Sequence, residues 1–142
     1  MKAMKVWDDC TRREKIARWE NVARVLQALT RHQRRYHFDM CFFVQREECG
    51  TIACAAGHCG FDPWFKRRGY EVRFSKNGIC LIRSVSGDSF CNGFTIEVES
   101  FFGSHGTNHI FYNTEQRPVS QVIREVRSYV KTLHKDKKED EQ

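Results

Sequence analysis

Proline is scarce in this sequence, with two in 142 residues, and glycine numbers only nine. That scarcity excludes collagen-like and low-complexity character. No apolar run approaches the ~18–20 residues that a membrane span requires. Met1-Lys2-Ala3-Met4-Lys5 leads into charge instead of a signal-peptide core. The Walker motif, the dinucleotide-binding glycine fingerprint and the Gly-x-Ser-x-Gly elbow are all missing, as is any paired-carboxylate pattern. These absences lower the enzyme reading, call for no cofactor, and point to a soluble, cytoplasmic protein without a membrane partner.

Acidic charge is also short in one region. Residues 1–37 hold 10 Lys/Arg against 4 Asp/Glu, whereas residues 38–142 hold 14 of each, so the formal net charge of +6 sits on the first quarter of the chain. Such lopsidedness suggests an anionic partner, whether a small molecule such as a nucleotide, nucleic acid, or an acidic protein face. What is present is a globular composition: 40% hydrophobic and 13% aromatic in 16.8 kDa. That suffices for one core, expected as a single compact domain over 1–134, followed by a charged, disordered tail at 135–142. Seven cysteines are many and odd in number. Set among Phe, Ile, Ala and Leu, they read as reduced, mostly buried thiols.

Ile16, Trp19, Ala23, Leu26 and Leu29 recur at spacings of three and four, which predicts a helix over 11–30, with Asp8 or Asp9 as its cap. Arg31 to His37 breaks that pattern and reads as a solvated basic connector carrying Arg34 and Arg35. Residues 38–44 are apolar and suggest a buried extended stretch or a turn. Thr51 then offers an N-cap for a short helix of small residues, including Ala53, Cys54, Ala56 and Gly57, that Gly60 ends in the left-handed conformation. Asp62-Pro63 marks another helix start and Gly69 its stop. Asn77-Gly78 joins two alternating segments into a hairpin. Helices are predicted over 90–102 and, briefly, 107–112. The last begins near Pro118 and buries Val119, Val122, Ile123, Val126, Tyr129, Val130 and Leu133. The fold class is therefore α+β and mostly helical: long N- and C-terminal helices around a short small-residue central helix, plus one β-hairpin.

The run Phe38-Asp39-Met40, followed by Glu48-Cys49-Gly50-Thr51-Ile52-Ala53-Cys54-Ala55-Ala56-Gly57-His58, resembles small bacterial and phage proteins built around a Cys-Gly-Thr-x-x-Cys-x-x-Gly-Trp/His signature. The resemblance continues through Asp62-Pro63-Trp64-Phe65, Phe101-Phe102-Gly103, Ile110-Phe111-Tyr112 and the closing helix. It implies a phage or mobile-element accessory protein of non-enzymatic type. Such a protein would bind an anionic partner, sequestering a host nucleotide immune signal or blocking a host defence protein. Cys59 stands where that signature has a plain small residue.

Cys49, Cys54 and Cys59 are five apart, and on a helix that spacing turns successive thiols by about 140° net, so they diverge. No metal site is assigned. An alternative is a cysteine-dependent hydrolase in which Cys49, activated at a helix N-terminus, pairs with His58 or with His105 or His109 as base. A second alternative is nucleic-acid binding through the basic 1–37 segment. The leading candidate is a ligand site formed by His58, Trp64, Arg67, Arg68, His105, Asn108 and His109. It requires residues 58–68 to lie beside 104–112. There Trp64 would offer a flat surface for a base, Arg68 a cation for phosphate, and Asn108 an orienting amide.

Overall fold

A computed structural model gives the backbone over residues 3–40, 43–47, 50–113 and 115–135, and the side chains there other than those of 45–47 and 50–52. An extended N-terminal segment and a 3-10 turn, Trp7–Asp9, lead into helix α1, Arg12–Ala28. Its cap is Thr11, not Asp8 or Asp9, which lie in the preceding turn. The Thr11 hydroxyl accepts from the Glu14 amide while the Glu14 carboxylate accepts from the Thr11 amide, a reciprocal box that satisfies two end donors. The next segment is also helical: α2 spans Arg31–Tyr36, and Thr30 and Gln33 repeat the same box. The basic stretch is therefore a second helix and not an irregular connector. Arg34 reaches back from it to the Leu26, Gln27 and Leu29 carbonyls, closing the open end of α1.

The apolar stripe of α1 packs along α7, Val119–Lys135, whose Val119, Val122, Ile123, Val126 and Leu133 are buried. Lys135 is thus helical, and residues 136–142 of the expected tail lie outside the described residues. Trp19 anchors this contact. It is fully buried, donates its Nε1–H to the Phe102 carbonyl at 3.1 Å, and meets the rings of Phe102, Phe111 and Tyr129. A Cβ on Gly106 would fall 2.3 Å from the Trp19 ring, so the chain passes this point only as glycine.

The middle of the chain differs from expectation. Residues Val44–Glu47 (β1) and Gly50–Ala53 (β2) form an antiparallel hairpin, with Val44 opposite Ala53. Thr51 lies in that strand. The cap of α3, Ala55–Cys59, is Cys54. The small residues do permit close approach, but of extended chain: a Cβ on Gly57 would overlap the Phe43 carbonyl. Gly60 follows with ordinary right-handed φ of -64°, and its smallness admits Val72.

Helix α4, Pro63–Lys66, begins as the Asp62-Pro63 pair demands, with the Asp62 carboxylate accepting from the Trp64 amide. The Asn77-Gly78 turn joins β3, Val72–Phe74, to β4, Cys80–Arg83. Residues Phe90–Cys91 pair with β4 as a third strand, β5, so the next helix, α5, starts only at Thr95 and runs to Phe102. A short turn, α6 at Ser104–Gly106, passes into a π-helical turn, Thr107–Phe111. The fold is α+β and mostly helical, with a three-stranded antiparallel sheet and a separate hairpin. Among the described residues no helix is long and apolar enough to cross a membrane, and Cys10, Cys54, Cys59, Cys80 and Cys91 are free thiols.

Candidate functional site

Three segments of the chain meet to form a cleft of about 500 Å³. Ala3 and Lys5 come from the extended N-terminal segment; Arg13, Glu14, Ala17 and Arg18 come from α1; Trp64, Arg67 and Arg68 come from α4 and the turn after it. The N-terminal segment is held in place by main-chain contacts. Met4 donates its amide to the Val85 carbonyl at 2.9 Å. Gly69, at φ +89°, lets the Met4 backbone lie directly over it. The Arg24 guanidinium grips the Asp62 carboxylate through both nitrogens, at 2.7 and 3.2 Å, fixing α1 against the start of α4.

Arg18 ties the cleft to the core. It is only 3% exposed, and it donates to the Phe101 carbonyl and to the Lys5 carbonyl, each at 2.7 Å. Its guanidinium also lies 3.9 Å over the Phe101 ring. Burial lowers its pKa from the usual arginine range. Lys5 pairs with Glu14 at 2.8 and 3.1 Å. That hydrogen bond, with the one from the Thr11 amide, pulls the Glu14 carboxyl down to about 2. Arg68 lies 3.6 Å over the Trp64 ring and donates to the Trp64 carbonyl at 2.9 Å. The cleft therefore presents five cationic side chains and one carboxylate, and that carboxylate is already engaged.

The other candidate residues lie elsewhere. His58, largely buried, places its Nε2 2.8 Å from the His37 carbonyl and stacks near Phe38; desolvation lowers its pKa. His105 and His109 face one another at 4.4 Å, and His105 stacks on Tyr129. His105 lines a different cleft, with Trp7, Ile96 and Glu99, and Asn108 is exposed near it in sequence. So Trp64, Arg67 and Arg68 come together, but neither His58 nor residues 104–109 line their cleft. The partners of the arginines come instead from the first 18 residues, the region of excess positive charge. Trp64 offers no bare face on the side where Arg68 already stacks.

Cys49 lies outside the described residues. Cys54 and Cys59 are fully buried, and desolvation raises both thiols, Cys54 to about 11, which disfavours the thiolate that nucleophilic chemistry uses. Cys54 is the N-cap residue of α3 and lies within the buried core. Among the described residues no three of His, Cys, Asp and Glu gather as metal ligands. Four cations of residues 1–37 have partners within the fold: Arg18 points inward, Arg24 binds Asp62, Lys5 binds Glu14 and Arg34 caps α1. A scan against protein-family models gives no match to this chain, and searches of the curated proteins and of the solved structures give none.

Proposed function

We propose that this chain is a non-enzymatic binding protein for a small phosphate-bearing anion, taken into the cleft between the N-terminal segment, α1 and the turn after α4. The observation that carries this reading is the charge of that cleft. Lys5, Arg13, Arg18, Arg67 and Arg68 surround it, and Glu14 is neutralised in place by Lys5. Burial first, and then the neighbouring charge of Arg67, lower the Arg68 pKa. A bound anion relieves the repulsion between the two and gains charge-assisted hydrogen bonds from several guanidinium groups. In the phage or mobile-element setting that the Cys49–His58 motif implies, such a protein acts by sequestering a host nucleotide signal in the cytoplasm.

Thermal unfolding in the presence of inorganic pyrophosphate tests this directly. Ligand that binds only the folded state raises the midpoint in a concentration-dependent way. The wild type should show that rise, and the Arg13→Gln/Arg67→Gln variant should lose it while unfolding at nearly the wild-type midpoint without ligand, because both side chains are exposed. An equal rise in both proteins, or none in the wild type, would overturn the reading.

A further inference from the structure

The cations of the cleft are not equivalent, and the difference between them describes a ligand. The Lys5 ammonium is on Glu14, and the Arg18 donors are on two main-chain carbonyls. The Arg13 and Arg67 side chains are exposed and make no hydrogen bond or ion pair among the described residues. They stand on different walls, one on α1 and one in the turn after α4. Two open guanidinium groups on two walls match two anionic groups carried by one molecule, each able to accept a forked pair of hydrogen bonds. Arg68 adds a third element. One face of its guanidinium is held 3.6 Å over Trp64 and its Nη1 is fixed by the Trp64 carbonyl, so the plane is oriented before any ligand arrives. A guanidinium held in this way stacks an aromatic ring on its other face.

Resting on the anion-binding reading above, we propose that the cleft takes a nucleoside diphosphate-type ligand, its linked phosphoryl groups bridging Arg13 and Arg67 and its base stacked on the side of Arg68 turned away from Trp64. A volume of about 500 Å³ is in the range of small-molecule sites. The aromatic platform is then arginine braced by tryptophan, and Trp64 acts as a positioning residue.

Calorimetric titration at fixed ionic strength with ADP, adenosine and inorganic pyrophosphate separates the parts. The wild type should bind ADP about tenfold more tightly than pyrophosphate, since stacking of one base is worth that much. Adenosine should bind more weakly than either. Arg68→Lys keeps the charge and removes the plane; it should bring ADP to the pyrophosphate level while changing pyrophosphate itself by less than about threefold. Arg13→Gln/Arg67→Gln should weaken both anions by about tenfold or more. Equal affinity for ADP and pyrophosphate, with both still dependent on Arg13 and Arg67, would overturn the base stack and leave the anion site standing. Binding of neither anion, or binding indifferent to Arg13 and Arg67, would overturn the anion site as well.

Discussion

His58 illustrates how burial decides what a single titratable residue can do. In the sequence it is a candidate base and ligand; in the fold its ring is tucked between α3 and the chain after α2, with Nε2–H donating to the His37 carbonyl. Desolvation, the largest influence, lowers its pKa, and the hydrogen bond to His37 opposes this only in part. The unfolded chain, with an ordinary histidine pKa of about 6.5, therefore takes up the proton first as pH falls. Stability from neutral His58 is fully present above that value and is lost as pH drops below it toward the lower folded-state pKa. The thermal midpoint should fall between pH 7.5 and pH 5, and His58→Gln should flatten that part of the profile. An unchanged slope in the variant would show that other groups carry the pH dependence.

At the scale of elements, Arg34 and Arg35 are neighbours with different roles. Arg34 binds three carbonyls at the end of α1, whereas Arg35 is exposed beside Tyr36. Arg34→Gln should cost about 1 kcal/mol in urea unfolding, the worth of a helix-end hydrogen bond set, and Arg35→Gln close to nothing. Equal effects would refute the cap. The signal for α2 was present in the sequence as Thr30 and Gln33, a capping box easily overlooked among arginines. The elements that sequence reveals are those with local causes: the α1 and α7 stripes, Asp62-Pro63 and the Asn77-Gly78 turn. The strand Phe90–Cys91 has no such cause. It is two residues long and exists because Ile82 and Arg83 pair with it. The β1–β2 hairpin was hidden because Thr51 among small residues is as good a cap as a strand residue. For the site, Trp64, Arg67 and Arg68 and the basic excess at the start of the chain were legible separately. Their meeting was not, because Arg18 reaches carbonyls 13 and 83 positions away.

For the whole molecule, the cleft is a consequence of how the N-terminal segment is fastened down. Arg18 joins that segment to the end of α5, Met4 joins it to the loop after β4, and Arg24 joins α1 to α4. These attachments fix the backbone positions of Arg13, Arg67 and Arg68, and Arg68 is also oriented by Trp64, so ligand capture has mainly the Arg13 and Arg67 side chains left to order. The helical turns with His105, Asn108 and His109 belong to another surface, where His105 lies beside Trp7 and Tyr129. The central claim is thus about place, and backbone amide chemical-shift mapping during a pyrophosphate titration tests it at every residue. The account predicts shifts concentrated in three segments, Ala3 to Lys5, Arg13 to Arg18 and Trp64 to Gly69, saturating together with one dissociation constant. Shifts centred on Ser104 to His109 or on His58, with those three segments silent, would contradict it.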